Sequence, residues 1–103
     1  MIDWQQVLAL KEEIGDDDFE EVVDMFLDEV EEGLGDLQDD QQTSQLEASL
    51  HALKSSALNL GFRQFADLCA AGEGAAARGE PVDLTPIFST YAESKAIFVS
   101  SRP

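Results

Sequence analysis

The chain has 103 residues, 44% of them hydrophobic, which suits one compact domain and is too apolar for a disordered segment. Six Lys and Arg against 22 Asp and Glu leave a formal net charge of −16, so a nucleic-acid backbone or an anionic membrane surface would be repelled. The single cysteine, Cys69, excludes an internal disulfide or a Cys-based zinc site. No apolar stretch approaches the ~20 residues of a membrane-spanning helix, and the acidic N-terminus has no signal-peptide pattern. The expectation is a single soluble, cytoplasmic domain over residues 1–103.

In chain order the patterns predict helices and no strands. The first helix runs from an Asp3 cap to Ile14, with Gly15 as its stop and Trp4, Val7, Leu8 and Ile14 as a loose apolar stripe. The second follows the Asp16-Asp17-Asp18 run, whose negative charge suits a helix N-terminus. Its apolar residues Phe19, Val22, Val23, Phe26, Leu27, Val30, Leu34 and Leu37 keep a 3.6-residue period, and Glu20, Glu21, Asp24, Asp28, Glu31 and Glu32 form a solvated face. A third helix opens with the capping box Ser44-Gln45-Leu46-Glu47 and ends at Leu60 before Gly61. The fourth spans Phe62 to Arg78, with Phe65, Leu68 and Cys69 facing inward. The fifth spans Asp83 to Ser100, with Thr85-Pro86 as an alternative start and Leu84, Ile87, Phe88, Tyr91 and Phe98 facing inward. Four long helices with short connections predict an all-α fold, an antiparallel up-down four-helix bundle with a short additional N-terminal helix laid on it.

The charge is uneven. Residues 1–50 hold 17 acidic side chains and only Lys11 as a base, whereas residues 51–103 hold five of each sign. The sole histidine, His51, opens the neutral half. With about 100° per residue and Leu46 as origin, Leu50, Leu53, Ala57 and Leu60 cluster within about 40° of zero, while His51 falls at about 140°. The imidazole therefore points to solvent, on an arc shared with Ala48, Lys54, Ser55 and Leu58. An exposed neutral imidazole is a competent nucleophile for group transfer, including phosphoryl transfer. Lys54, three residues on, would offset the added negative charge, and the small Ala48 and Ser55 would let a partner surface approach. The competing reading is a surface histidine without a role on an ordinary amphipathic helix.

The segment His51-Ala52-Leu53-Lys54-Ser55-Ser56-Ala57-Leu58-Asn59-Leu60-Gly61 resembles the signature of the histidine-containing phosphotransfer (HPt) domain of bacterial two-component phosphorelays. Histidine, leucine at +2, lysine at +3, the small pair and glycine at +10 all match, and Ser55 stands where that family usually has glycine. Phe62-Arg63-Gln64-Phe65-Ala66-Asp67-Leu68-Cys69 is similar to the start of the family's next helix. The resemblance implies a phosphoryl carrier rather than an autonomous enzyme. In it His51 would accept the phosphoryl group on Nε2 from a receiver-domain aspartate and pass it to another. The implied partners are response-regulator receiver domains and a hybrid histidine kinase. The implied state is a monomer without a cofactor or metal of its own, since Mg²⁺ belongs to the receiver. The family often hydrogen-bonds the histidine ring from the next helix; Glu73 stands at that place, although an ordinary exposed glutamate is the alternative. Docking would use Glu47, Ala48, Ser55, Leu58, Gly61 and Arg63. A reading from a different class is an acidic helical adaptor that binds a basic protein through residues 12–40, with His51 incidental. Cys69 reads as a buried structural thiol, and Trp4 and Phe62 as core or lid residues.

Overall fold

The computed structural model describes residues 2–39 and 45–101. Among them five helices form and no strand does: α1 (Trp4–Ile14), α2 (Asp16–Asp39), α3 (Leu46–Leu60), α4 (Arg63–Ala77) and α5 (Thr85–Ser101). The molecule is elongated, 43 × 20 × 19 Å. α3 sits centrally and packs on α1, α2 and α4, while α5 packs on α4.

The helix ends follow from local chemistry. The Asp3 carboxylate accepts the Gln6 backbone N–H, and Gly15 closes α1 by donating to the Lys11 carbonyl. α2 begins within the acidic run, where three carboxylates meet the positive end of the helix. At α3 the predicted capping serine, Ser44, lies outside the described residues; Gln45 is the N-cap and makes no side-chain capping bond. The Asp83 carboxylate accepts the Thr85 N–H, so Asp83 caps α5 from just outside it and Pro86 occupies the first turn.

The core follows the second-helix period: Phe19, Val23, Leu27, Val30, Leu34 and Leu37 are buried and Phe26 packs at the margin, while Val22, also on the expected stripe, is only half-buried. In α1 the stripe differs from expectation. Leu8 is 53% exposed and Leu10 is buried in its stead, because α1 turns its Val7–Leu10 edge to α2 and α3. An aromatic cluster joins α1, α4 and α5. Trp4 stacks on Phe98 at 6.0 Å, Phe98 meets Phe62 edge-on at 5.6 Å, and Tyr91 lies 5.3 Å from Phe65. Phe62 is fully buried, which makes it core, and so is Cys69; burial pushes the Cys69 thiol up to about 12, so it stays protonated and inert.

Two glycines set the spacing around α3. Gly61 ends α3 with φ +80, and a Cβ there would sit 2.7 Å from the Asp3 carbonyl oxygen. Its own carbonyl accepts the Asp3 N–H at 2.7 Å, so the start of α1 is tied directly onto the α3–α4 turn. Gly72 lets α4 come close to Leu50, whose Cδ1 would lie 3.0 Å from an added Cβ. That close approach brings the next residue, Glu73, up to the polar side of α3.

Candidate functional site

α3 buries Leu46, Leu50, Leu53, Ala57 and Leu60 and so turns the intervening residues outward. His51 lies on that outer side with a side chain 60% exposed. From α4, Glu73 reaches across and places Oε2 2.8 Å from His51 Nδ1. The other carboxylate oxygen, Oε1, accepts from Lys54 Nζ at 2.8 Å. One carboxylate therefore holds both polar side chains of the α3 turn. His51 and Lys54 are three residues apart, about one helical turn, which is why a single group on the facing helix spans them.

The hydrogen bonds from Lys54 and then His51 hold the Glu73 carboxyl below the usual carboxylate range. An ionised carboxylate only accepts, so the ring must present Nδ1–H to it. The neutral ring is thereby fixed in the tautomer whose Nε2 carries a lone pair, facing away from Glu73. His51, Glu73, Glu47 and Ala48 line a shallow open depression. Chemically, this is a nucleophilic nitrogen on an open surface, with its ring oriented from behind and a cation one turn away.

The other residues singled out in the sequence fall into two groups. Glu47, Ala48, Ser55 and Leu58 are exposed on the same helix as His51. The Ser55 hydroxyl donates back to the His51 carbonyl at 3.2 Å, so it lies against its own helix and leaves the approach open. Leu58 is 45% exposed, an apolar side chain among polar ones. Gly61, by contrast, is buried beneath Asp3 and Val7; its place is in the turn, not on the open surface. Arg63 is exposed and lies 3.7 Å from the Asp3 carboxylate, beside the α1 cap.

Lys54 has a different setting from the one the sequence suggested. Rather than standing free for an incoming anion, it is half-buried and bound to Glu73. A second carboxylate bridge joins α2 to α5. Tyr91 OH donates to Glu31 Oε2 at 2.7 Å, and Lys95 Nζ binds the same oxygen. The helical period alone puts Glu31 on the solvated face of α2. Tyr91 and Lys95 at i and i+4 on the fifth helix were the available signal for this anchor.

Compared with known protein families, the chain matches the Hpt domain over residues 21–92, a span that runs from α2 into α5 and contains His51, Lys54 and Glu73. No curated protein and no solved structure matches it.

Proposed function

The chain belongs to the Hpt domain family, whose members are phosphocarriers of two-component signalling, and on that premise we propose that His51 is the residue that carries the phosphoryl group. In this reading Nε2 attacks the phosphorus of a receiver-domain aspartyl phosphate, the P–O bond to the aspartate breaks, and the carboxylate leaves. Transfer onward reverses the step on a second receiver. Phosphoryl transfer is mainly positioning and charge stabilisation, and Mg²⁺ would come with the receiver. The hybrid kinase and response regulator would meet this chain, as a monomer, through Glu47, Ala48, Ser55 and Leu58 around the histidine.

The observation that carries this reading is the 2.8 Å contact of Nδ1 with Glu73, made by a ring that stays 60% exposed. A ring held from behind with its other nitrogen open is what an in-line partner needs. Glu73 is thus a positioning residue. Lys54, one helical turn from His51, would supply counter-charge to the phosphoryl group on exchanging its bond to Glu73. The scaffold is one domain, read as α2–α5 in an up-down bundle with α1 tied across the α3–α4 turn.

The test is transfer from a panel of phosphorylated receiver domains to the wild-type chain and to His51→Gln. An acid-labile, base-stable label on the wild type that the folded variant lacks is the expected result. A label that persists in His51→Gln, or a folded wild type that accepts from no receiver, removes the proposal.

A further inference from the structure

A neutral amide at position 73 would also accept a hydrogen bond from Nδ1–H and orient the ring, so orientation alone does not account for the charge of Glu73. We infer that the Glu73 carboxylate sets the pH range over which phospho-His51 gives up its phosphoryl group, with Lys54 limiting the effect; this rests on the phosphotransfer reading above.

The chemistry turns on the proton at Nδ1. With the phosphoryl group on Nε2, a ring that keeps Nδ1–H is an imidazolium. When an acceptor oxygen then bonds to phosphorus, the P–Nε2 bond breaks, its electron pair stays on Nε2, and a neutral imidazole leaves with its proton still on Nδ1. Without that proton the leaving group would be an imidazolate, a far poorer one. Lability therefore follows the fraction of phospho-His51 that is protonated at Nδ1.

The geometry acts on that fraction. Glu73 Oε2 lies 2.8 Å from Nδ1, on an element that Gly72 brings close to α3. If Nδ1 lost its proton, its lone pair would face an anionic oxygen at that distance, with no donor between them. Glu73 is itself kept ionised by its hydrogen bonds to Lys54 and His51. A neighbouring opposite charge favours the charged form of a titrating group by about one pH unit or more. Lys54 works the other way, because it occupies Oε1 at 2.8 Å and neutralises part of the carboxylate. Among the described residues the groups around the ring are Glu73 from α4 and Glu47 and Lys54 from α3 itself. α1 meets α3 at Gly61, and α2 meets it where Gly33 faces Leu53, both on the apolar side.

Three proteins test this: the full wild-type chain, Glu73→Gln and Lys54→Met. Each is phosphorylated chemically with phosphoramidate, and loss of phosphohistidine to water is followed from about pH 5 to pH 9. In hydrolysis water is the acceptor, and its proton goes to solvent. The expected midpoint of the rate profile falls by about one pH unit in Glu73→Gln, hence about tenfold slower loss well above both midpoints, and rises in Lys54→Met. The ¹⁵N shift of Nδ1 in the phosphorylated chains should titrate with the same order of midpoints. Opposite displacements from two neighbouring substitutions are not what a merely structural role would give. Coincident profiles on chains that do take up the phosphoryl group at His51 overturn this inference alone. Folded chains on which receivers place no phosphoryl group at His51 remove the phosphotransfer reading, and the inference with it.

Discussion

On the α3–α4 face one carboxylate serves two partners, while along the outer face of α2 carboxylates stand side by side in solvent. Glu73 is held by both His51 and Lys54. Glu21, Asp24, Asp28 and Glu32 are exposed on a helix whose opposite side packs into the core. α2 holds 12 of the chain's 22 acidic residues and no basic one, yet the most specific geometry lies in the first region. The lesson is that charge density and charge placement do separate jobs. A solvated acidic face supplies solubility and a repulsive field, whereas one buried-edge carboxylate fixes a tautomer.

The sharpest way to break this contrast is to damage each region in turn and measure phosphoryl transfer. His51→Gln should abolish acceptance outright. The triple reversal Glu21→Lys, Asp24→Lys, Glu32→Lys should leave transfer within about twofold at 0.15 M salt, where exposed charges act over only about 8 Å. A tenfold loss in the triple variant that salt relieves would instead put the acidic face in the docking surface, as the adaptor reading has it.

The next effect in size tests what holds the first region together. Gly61→Ala forces a left-handed backbone on a residue with a Cβ and drives that Cβ to within 2.7 Å of the Asp3 carbonyl. A loss of about 2–3 kcal/mol is expected in urea unfolding. Because α1 leans on that turn while His51 lies ten residues earlier, transfer per folded molecule should survive. A loss below about 0.5 kcal/mol would mean that α1 is not anchored where Asp3 and Gly61 meet.

Helix periodicity made the core legible because apolar spacing reports directly which side of a helix is buried. Phe19 to Leu37 followed it closely, and so did the outward placement of His51. Leu8 and Leu10 were not separable that way, since α1 is short and both fit a loose stripe; the choice is made by how α1 docks on α2 and α3. Glu73 could be placed opposite His51 only through family resemblance. Its second bond to Lys54 depends on the approach of two helices at Gly72, which no local pattern encodes. Gly61 showed a similar limit: its place in the motif was visible, but the α1 backbone covering it was not.

The smallest effects sharpen the comparison from within α2, where Glu31 is tied to α5 through Tyr91 and Lys95. Tyr91→Phe removes a donor from a buried ring and should cost about 1 kcal/mol, leaving Glu31 on Lys95. The carboxyl of Glu31 is held below the usual range, first by Lys95 and then by Tyr91. A carboxyl depressed in the folded state stabilises fully above its unfolded value and loses that contribution as pH falls through its folded value. The gap in unfolding free energy between wild type and Glu31→Gln should therefore be constant near neutral pH and close as the solution is acidified below the ordinary glutamate range. Both Glu31 and Lys95 are 41% exposed, so solvent screening keeps the gap to a few tenths of a kcal/mol. A gap that stays the same down to about pH 2 would show that the α2–α5 bridge works through the shape and hydrogen bonding of residue 31 rather than its charge. In that case the contrast with Glu73, whose charge acts on two partners at once, would sharpen.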